Sequence, residues 1–157
     1  MSGSSRRPPW DETWLAVARV IAQRSLCVRD KVGAVIVNPH NRIVATGYNS
    51  PPAGFIHHDT RCQNWCERAL YDGEKPDREY RDCVALHAEA NALSVCDRSL
   101  RERGTLYVTS DVCWNCAKLI ANSGLLRVVI HTGTHLHREP RKSYEFMVEC
   151  GLAVVVV

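Results

Sequence analysis

The chain has 157 residues, of which 45% are hydrophobic and 24% are charged, and its formal net charge is +3 at pH 7. This length is typical of one domain, and the composition excludes a disordered, collagen-like or membrane-embedded protein. No run approaches the roughly 20 apolar residues that a bilayer crossing needs, and residues 1–9 lack the apolar segment of a secretory signal. We therefore predict a disordered tail over 1–9, a single domain over 10–157, no membrane contact and a cytoplasmic location.

The apolar pattern predicts helices and strands that alternate along the chain. It predicts helices at 11–25, 87–97, 113–123 and 143–149 and strands at 32–37, 43–48, 105–110, 126–131 and 152–157, of which the first two strands form a hairpin. Residues 49–81 are rich in Pro, Gly, Asp and His and predict a long loop with a helical turn near 65–71. A loop of that length in one domain needs a function or a staple. The alternation predicts a three-layer α/β/α domain around a central five-stranded mixed sheet.

Three soft metal ligands open two of the predicted helices. His87 opens one helix, and Cys113 and Cys116 form a C-x-x-C pair at the start of the next. Two thiolates and one imidazole leave the fourth position of a tetrahedral zinc for water, which is typical of a catalytic rather than a structural site. Glu89 is expected to lean over the same site, where a carboxylate can take a proton from the water and deliver it to a leaving group.

Other interpretations of these residues explain less of the sequence. The cysteine pair also fits a thioredoxin-like redox site, but that interpretation leaves His87 and Glu89 unexplained. Eight cysteines without a secretory signal favour metal binding or catalysis over a disulfide scaffold. The mild positive charge suits an anionic small molecule, and because no basic block with aromatics is present, a nucleic-acid partner is not expected.

The ordered motifs resemble the cytidine deaminase superfamily and, within it, the deoxycytidylate (dCMP) deaminase branch. They are V-G-A-V-I-V at 32–37, T-G-Y-N at 46–49, H-A-E-A-N-A at 87–92 and V-C-W-N-C at 112–116. The superfamily signature is H-x-E followed by P-C-x-x-C. The resemblance runs from about Trp10 to the C-terminus, and it implies the cytidine deaminase-like fold and the zinc-dependent hydrolysis of dCMP to dUMP and ammonia, a step of pyrimidine nucleotide metabolism.

The resemblance also implies roles for individual residues. His87, Cys113 and Cys116 hold the zinc, whose water attacks C4 of the cytosine, and Glu89 moves a proton to N3 and then to the departing amino group. Members of the branch are commonly hexameric, so the resemblance implies a homo-oligomer.

Substrate contacts are implied for a second group of residues. Asn49 resembles the family asparagine that bonds the sugar hydroxyl, and the backbone of Ala88 would contact the base edge. Arg24 and Ser25 are the candidates for the 5′-phosphate, because a bidentate guanidinium suits this oxyanion.

The chain departs from the family pattern at positions that border the base pocket. Val112 stands where the family usually has proline, Ser50 replaces the glycine of a stretch associated with regulation by nucleoside triphosphates, and His131, His135 and His137 follow a strand after which the family tends to have an aromatic. The alternative substrates are therefore CMP, a 5-modified dCMP, cytidine, guanine and tRNA adenosine. A non-catalytic, zinc-stabilised interaction module is the alternative from another class, and the intact Glu89 argues against it.

The remaining cysteines suggest a second metal. Some phage members of the branch carry a second, structural zinc, and Cys27 and His57 match its ligand positions. Cys83 and either Cys62 or Cys66 would complete the set, and such a staple would order the long loop. Two other cysteines, Cys96 and Cys150, are expected to be small buried apolar residues.

Overall fold

Helices and strands alternate in the computed structural model, which describes residues 6–66, 83–132 and 140–157. In chain order the elements are helix α1 (Trp10–Ala22), strands β1 (Gly33–Val37) and β2 (Ile43–Tyr48), a 3-10 turn (Cys62–Asn64), helices α2 (Ala88–Ser94) and α3 (Arg98–Arg101), strand β3 (Thr105–Val108), helix α4 (Trp114–Ala121), strand β4 (Arg127–Ile130), helix α5 (Pro140–Glu149) and strand β5 (Ala153–Val156). No helix of these described ranges is long and apolar enough to cross a bilayer.

The five strands form one mixed sheet in the order β2-β1-β3-β4-β5. β1 pairs antiparallel with both β2 and β3, whereas β4 lies parallel to β3 and to β5. Parallel neighbours need a crossover connection, and α4 and α5 provide the two crossovers. The predicted fold class is confirmed.

The two faces of the sheet carry separate cores, because successive side chains of a strand point to opposite sides. On one face Val35, Tyr107 and Val129 pack against Leu15 and Ala18 of α1. The alternate strand residues face the other side, where they form the larger core with α2, α4 and α5. The domain therefore has the three predicted layers, with one helix on one side and the site-bearing helices on the other.

Helix α2 lies unusually close to strand β2. A Cβ atom built on Gly47 would lie 2.3 Å from the carbonyl oxygen of Ala88 and 2.5 Å from the amide nitrogen of Ala92. Only glycine allows this approach of two backbones. Since α2 begins directly after His87, Gly47 sets how deeply the start of this helix sits on the sheet.

The structure corrects the predicted helix over 87–97. The helix ends at Ser94, and Asp97, in an extended conformation, directly precedes the separate short helix α3. The guanidinium of Arg101 donates hydrogen bonds to the carbonyl oxygens of Leu93 and Cys96. Carbonyls at a helix end have no partner within the helix, so this side chain stabilises the break.

Three smaller expectations have different outcomes. Cys96 is buried as predicted, whereas Cys150 is exposed at the end of α5, so that prediction is wrong. Residues 6–9 of the predicted tail are exposed and belong to no helix or strand, and residues 1–5 lie outside the described part. The helical turn predicted near 65–71 falls mostly on residues outside the described ranges, and the turn present nearby is Cys62–Asn64.

Asp11 fastens α1 to the sheet. Its two carboxylate oxygens each accept a hydrogen bond of 2.7 Å from the guanidinium of Arg127, and one also accepts from the phenol of Tyr107 at 3.0 Å. The hydrogen bonds from Arg127 hold the pKa of Asp11 below its ordinary value.

Asp11→Asn is expected to lower the free energy of unfolding at pH 7 by about 1 kcal/mol, because Arg127 loses a bidentate carboxylate. A lowered pKa stabilises the folded state above the unfolded pKa of about 4, and this contribution disappears as the pH falls through the folded pKa. Urea unfolding should therefore show a difference from wild type that shrinks below pH 4. Glu145→Gln, which removes the exposed Arg141–Glu145 pair, is the control and should change little. A difference that stays constant with pH would contradict the role of Asp11.

Candidate active site

The three predicted metal ligands converge in space. The Sγ atom of Cys113 lies 3.4 Å from Nδ1 of His87, and the Sγ atom of Cys116 lies 3.5 Å from the same nitrogen. In a tetrahedral zinc site with ordinary bond lengths, a sulfur and a nitrogen ligand are about 3.6 Å apart. All three ligand atoms lie within 4.8 Å of one another. The donor set and its spacing therefore fit a zinc ion.

Two helix N-termini meet to build this cluster. His87 is the residue before α2 and Cys113 is the residue before α4, both with extended backbone, and the two helices pack against each other. The backbone N–H of Cys116 donates a hydrogen bond of 3.4 Å to Sγ of Cys113. Because helix N-termini favour negative charge, the fold stabilises the thiolate form that metal binding requires.

The cluster has a closed inner wall and an open outer side. Cys116 is buried, Cys113 is half-buried and the His87 residue is exposed.

Hydrogen bonds from the Cys116 thiol and from His87 lower the pKa of Cys113 to about 3, and the hydrogen bond to Cys113 raises the pKa of His87 to about 9. The hydrogen bond with Cys113 and burial raise the pKa of Cys116. Metal binding must therefore displace protons from His87 and Cys116.

Glu89 lies beside the same cluster in the first turn of α2. Only 3% of the residue is exposed, and its carboxyl group is close enough to the Cys116 side chain to interact with it electrostatically. Burial raises the pKa of Glu89 to about 7. A carboxyl group that titrates near neutral pH can both accept and release a proton, as a catalytic proton carrier must.

Asn49 and Ser25 are engaged in holding a loop. The side-chain oxygen of Asn49 accepts a hydrogen bond from the amide of Val32, and its nitrogen donates to the carbonyl of Asp30, both at 2.9 Å. Ser25 is fully buried; its hydroxyl donates to the carbonyl of Asn49 at 2.8 Å and accepts from the amide of Cys27 at 3.3 Å. Ser25 therefore supports the loop from within, and its predicted contact with the 5′-phosphate stays a prediction.

Asn91 is a residue for which the sequence suggested no role. Its side-chain nitrogen donates to the carbonyl oxygen of Tyr48 at 2.8 Å and to the hydroxyl of Ser50 at 3.3 Å. It thereby ties α2, which carries Glu89, to the segment that carries Asn49. The signal in the sequence was its place in the H-A-E-A-N-A motif, but only the fold shows what it contacts. Ala88 is fully buried next to β2.

A cavity of about 250 Å³ lies next to the Asn49 loop. Polar residues and four cysteines line it, among them Arg24, Asn49, Ser50, His58, Cys27, Cys62, Cys66 and Cys83. The predicted ligand His57 is not among the lining residues. Its ring stacks on Trp65, which does line the cavity, with the centroids 5.5 Å apart. Four of the five predicted second-site residues therefore line one cavity, whereas among the described residues only His87, Cys113 and Cys116 have ligand atoms within 4.8 Å of one another.

The histidines predicted near the pocket can be placed only in part. Nδ1 of His131 lies 2.7 Å from the carbonyl oxygen of Thr132, and His135 and His137 lie outside the described residues. Val112, which stands where the signature has proline, is fully buried.

Comparisons with known proteins agree with this site. The family described as the cytidine and deoxycytidylate deaminase zinc-binding region matches residues 8–132. The chain is 47% identical over 127 residues to the deoxycytidylate deaminase of Mycobacterium phage D29, covering 78% of this chain and 94% of the relative. It is 35% identical over 149 residues to the deoxycytidylate deaminase of Saccharomyces cerevisiae, covering 94% of this chain and 45% of that protein.

A solved structure agrees over nearly the full length. The dCMP deaminase from the cyanophage S-TIM5, in complex with dCMP and dUMP, matches with a TM-score of 0.71 and 26% identity, covering 97% of this chain and 99% of that chain. The chain therefore belongs to the cytidine and deoxycytidylate deaminase family, whose zinc-binding region includes the cluster described above.

Proposed function

We propose that this protein deaminates dCMP to dUMP and ammonia with a zinc ion held by His87, Cys113 and Cys116. The observation that carries the proposal is the buried Glu89 carboxyl beside this donor set, in a chain 47% identical to a phage deoxycytidylate deaminase. A structural zinc needs no proton carrier. The position of Glu89 therefore favours an enzyme over a zinc-stabilised interaction module.

In the proposed reaction, zinc activates the water and Glu89 transfers the protons. Zinc, when bound, supplies a Lewis acid that activates water at neutral pH. Glu89 takes the proton of the attacking water and delivers it to N3 of the ring, while a C–O bond forms at C4. Glu89 then takes the remaining proton from the new C4 hydroxyl and delivers it to the exocyclic nitrogen, so that the C4–N bond breaks, the C4 carbonyl of dUMP forms and ammonia leaves.

Arg24 is the proposed ligand of the 5′-phosphate. It lines the cavity next to Asn49, and a guanidinium can hold two phosphate oxygens at once. Asn49 and the backbone of Ala88 remain the proposed contacts of the sugar and the base. Because Val112 is fully buried, its replacement of the signature proline places no new side chain in the open part of the site, which favours the substrate of the dCMP branch.

An ammonia-release assay on zinc-analysed protein tests this proposal. We expect turnover of dCMP to exceed that of CMP, 5-substituted dCMP, dCTP, cytidine and guanine. Efficient turnover of another substrate in place of dCMP would replace the proposed substrate. No turnover by protein that contains zinc would favour the interaction module.

A second, structural zinc is also part of the proposal, held by the cysteines that line the same cavity as Arg24 and Asn49. Cys27, Cys62, Cys66 and Cys83 bring four sulfur donors to one cavity. Burial is the main reason that the pKa of Cys62 is raised to about 12, and the neighbouring Cys27 and Cys66 side chains contribute to the increase. The three cysteines are therefore close enough to influence one another electrostatically. Four cysteine ligands are typical of a closed structural zinc site, where the metal contributes folding free energy.

Cys66→Ala is expected to remove one of two zinc ions and to lower the free energy of unfolding by several kcal/mol. Elemental analysis and urea unfolding measure the two effects. Cys150→Ala changes an exposed cysteine outside the cavity and should leave the zinc content unchanged. A Cys66→Ala protein with the zinc content of wild type would contradict the second site.

A homo-oligomer and a cytoplasmic location complete the proposal. Strands β2 and β5 are the edges of the sheet, and an edge strand offers unpaired backbone groups to a second copy. Sedimentation of the purified protein should give a hexamer, and a monomer would contradict it. Thiolates bind zinc only when reduced, which is consistent with a cytoplasmic protein.

A further inference from the structure

A buried carboxylate stands just before the catalytic cysteine pair. Asp111 is 5% exposed and precedes Cys113 by two residues. The phenol of Tyr144, on helix α5, donates to its Oδ1 atom at 2.5 Å. A buried carboxylate is costly unless it is hydrogen-bonded, so this bond ties the segment that leads into Cys113 to α5.

The same helix also holds the residue that follows Cys113. The ring of Phe146 lies against Trp114 with the centroids 4.9 Å apart, and Nζ of Lys142 lies 5.1 Å from the centre of the Trp114 ring. Helix α5 therefore contacts the chain on both sides of Cys113. Together with the hydrogen bond from the Cys116 amide, these contacts leave the thiol little freedom to move.

Restraint of the segment before Cys113 matters in this chain because the proline of the superfamily signature is absent. The superfamily signature has proline directly before the first cysteine, and proline fixes its own φ angle. Val112 occupies that position here and has no ring to limit its backbone. The bond between Tyr144 and Asp111 restrains the segment one residue earlier.

We propose that Tyr144, through Asp111, is a positioning residue for Cys113 and that it slows the loss of zinc from the active site. This inference rests on the proposed function, since it presupposes zinc at this cluster. According to this inference, helix α5 supports the zinc site although none of its residues is among the three candidate ligands.

Tyr144→Phe removes the hydroxyl and keeps the ring. We expect zinc release to a chromogenic chelator to become about 10-fold faster, as for the loss of other groups that orient metal ligands. We also expect a lower kcat at unchanged KM for dCMP, and altered thiolate-to-metal absorption in the cobalt-substituted protein. If zinc is released in two kinetic phases, the phase that is missing in the His87→Ala variant is the one that belongs to the active site.

The chain offers a matched control on the opposite face of the sheet. Tyr107 donates a similar phenol hydrogen bond to Asp11, at 3.0 Å. Tyr107→Phe should therefore lower stability to a similar extent and leave zinc release unchanged. Equal release rates in the two variants would overturn the inference while leaving deamination by the wild type intact.

A second comparison tests whether Tyr144 acts through Asp111. In an Asp111→Ala background, Tyr144→Phe should add nothing to the rate of zinc release, because the interaction is already lost. Additive effects would overturn the proposed route. A wild-type protein that holds no zinc at this cluster would overturn both this inference and the proposed function. Equal zinc release from the two Tyr→Phe variants, with deamination by the wild type intact, would overturn this inference alone.

Discussion

Glu89→Gln is expected to lower kcat for deamination by about 10²–10⁴-fold, the contribution typical of a positioned acid–base group. The amide has the same shape as the carboxyl group but cannot accept and release a proton. Since Glu89 is 3% exposed, bulk water cannot easily replace it. Zinc content and the unfolding midpoint should stay near wild type, because Glu89 is not one of the three ligands.

Ammonia release and elemental analysis on the same preparation test this expectation. Glu102→Gln is the control, because Glu102 is exposed at the end of α3 and the side-chain replacement is the same. Activity of Glu89→Gln within a few fold of wild type would exclude Glu89 as the proton carrier. Loss of zinc together with activity would make Glu89 a structural residue instead.

Cys116→Ser is expected to remove the active-site zinc and to reduce deamination to the background of the assay. Serine is nearly the same size, but its hydroxyl stays neutral at pH 7, whereas the zinc ligand is the charged thiolate. Cys116 is 3% exposed and its Sγ lies 3.5 Å from the His87 nitrogen, so no neighbouring water can take its place without a shift of α4.

Cys96→Ser provides the matched control, because Cys96 is also a buried cysteine but lies outside the ligand cluster. Its zinc content and activity should follow the fraction of folded protein. In the wild type, zinc uptake should weaken as the pH falls, because His87, with its pKa raised to about 9, must lose a proton to bind the metal. Zinc retained by Cys116→Ser at full activity would contradict the ligand assignment.

Local patterns predicted the fold class because they depend on short-range chemistry. The β-branched runs and helical periods indicated five strands and the helices between them, and the observed sheet confirms this architecture. The boundaries were less accurate where a distant side chain intervenes. Arg101 stabilises the break after Ser94 by binding carbonyls at the end of α2, and no local pattern contains that contact.

The three residues that could hold a metal ion were predicted because the residue types and the C-x-x-C spacing themselves indicate soft-metal chemistry. The histidine was less certain in isolation, and the motif order supplied the link between His87 and the cysteine pair. Local sequence does not determine which residues next to a predicted site residue face the site, because this depends on tertiary contacts. Ser25 follows Arg24 directly, yet its hydroxyl is enclosed by Asn49 and Cys27.

The sequence alone determined the layered architecture and singled out the three candidate metal ligands and the candidate proton carrier, because residue type, local spacing and motif order point to each of them. The tertiary structure alone decided that His57 stacks on Trp65, that Asn91 holds the Asn49 segment, and that Tyr144 reaches Asp111. These contacts join residues 8 to 43 positions apart. Which of many polar side chains meet across such separations depends on how the helices pack on the sheet, and that packing is a property of the whole chain.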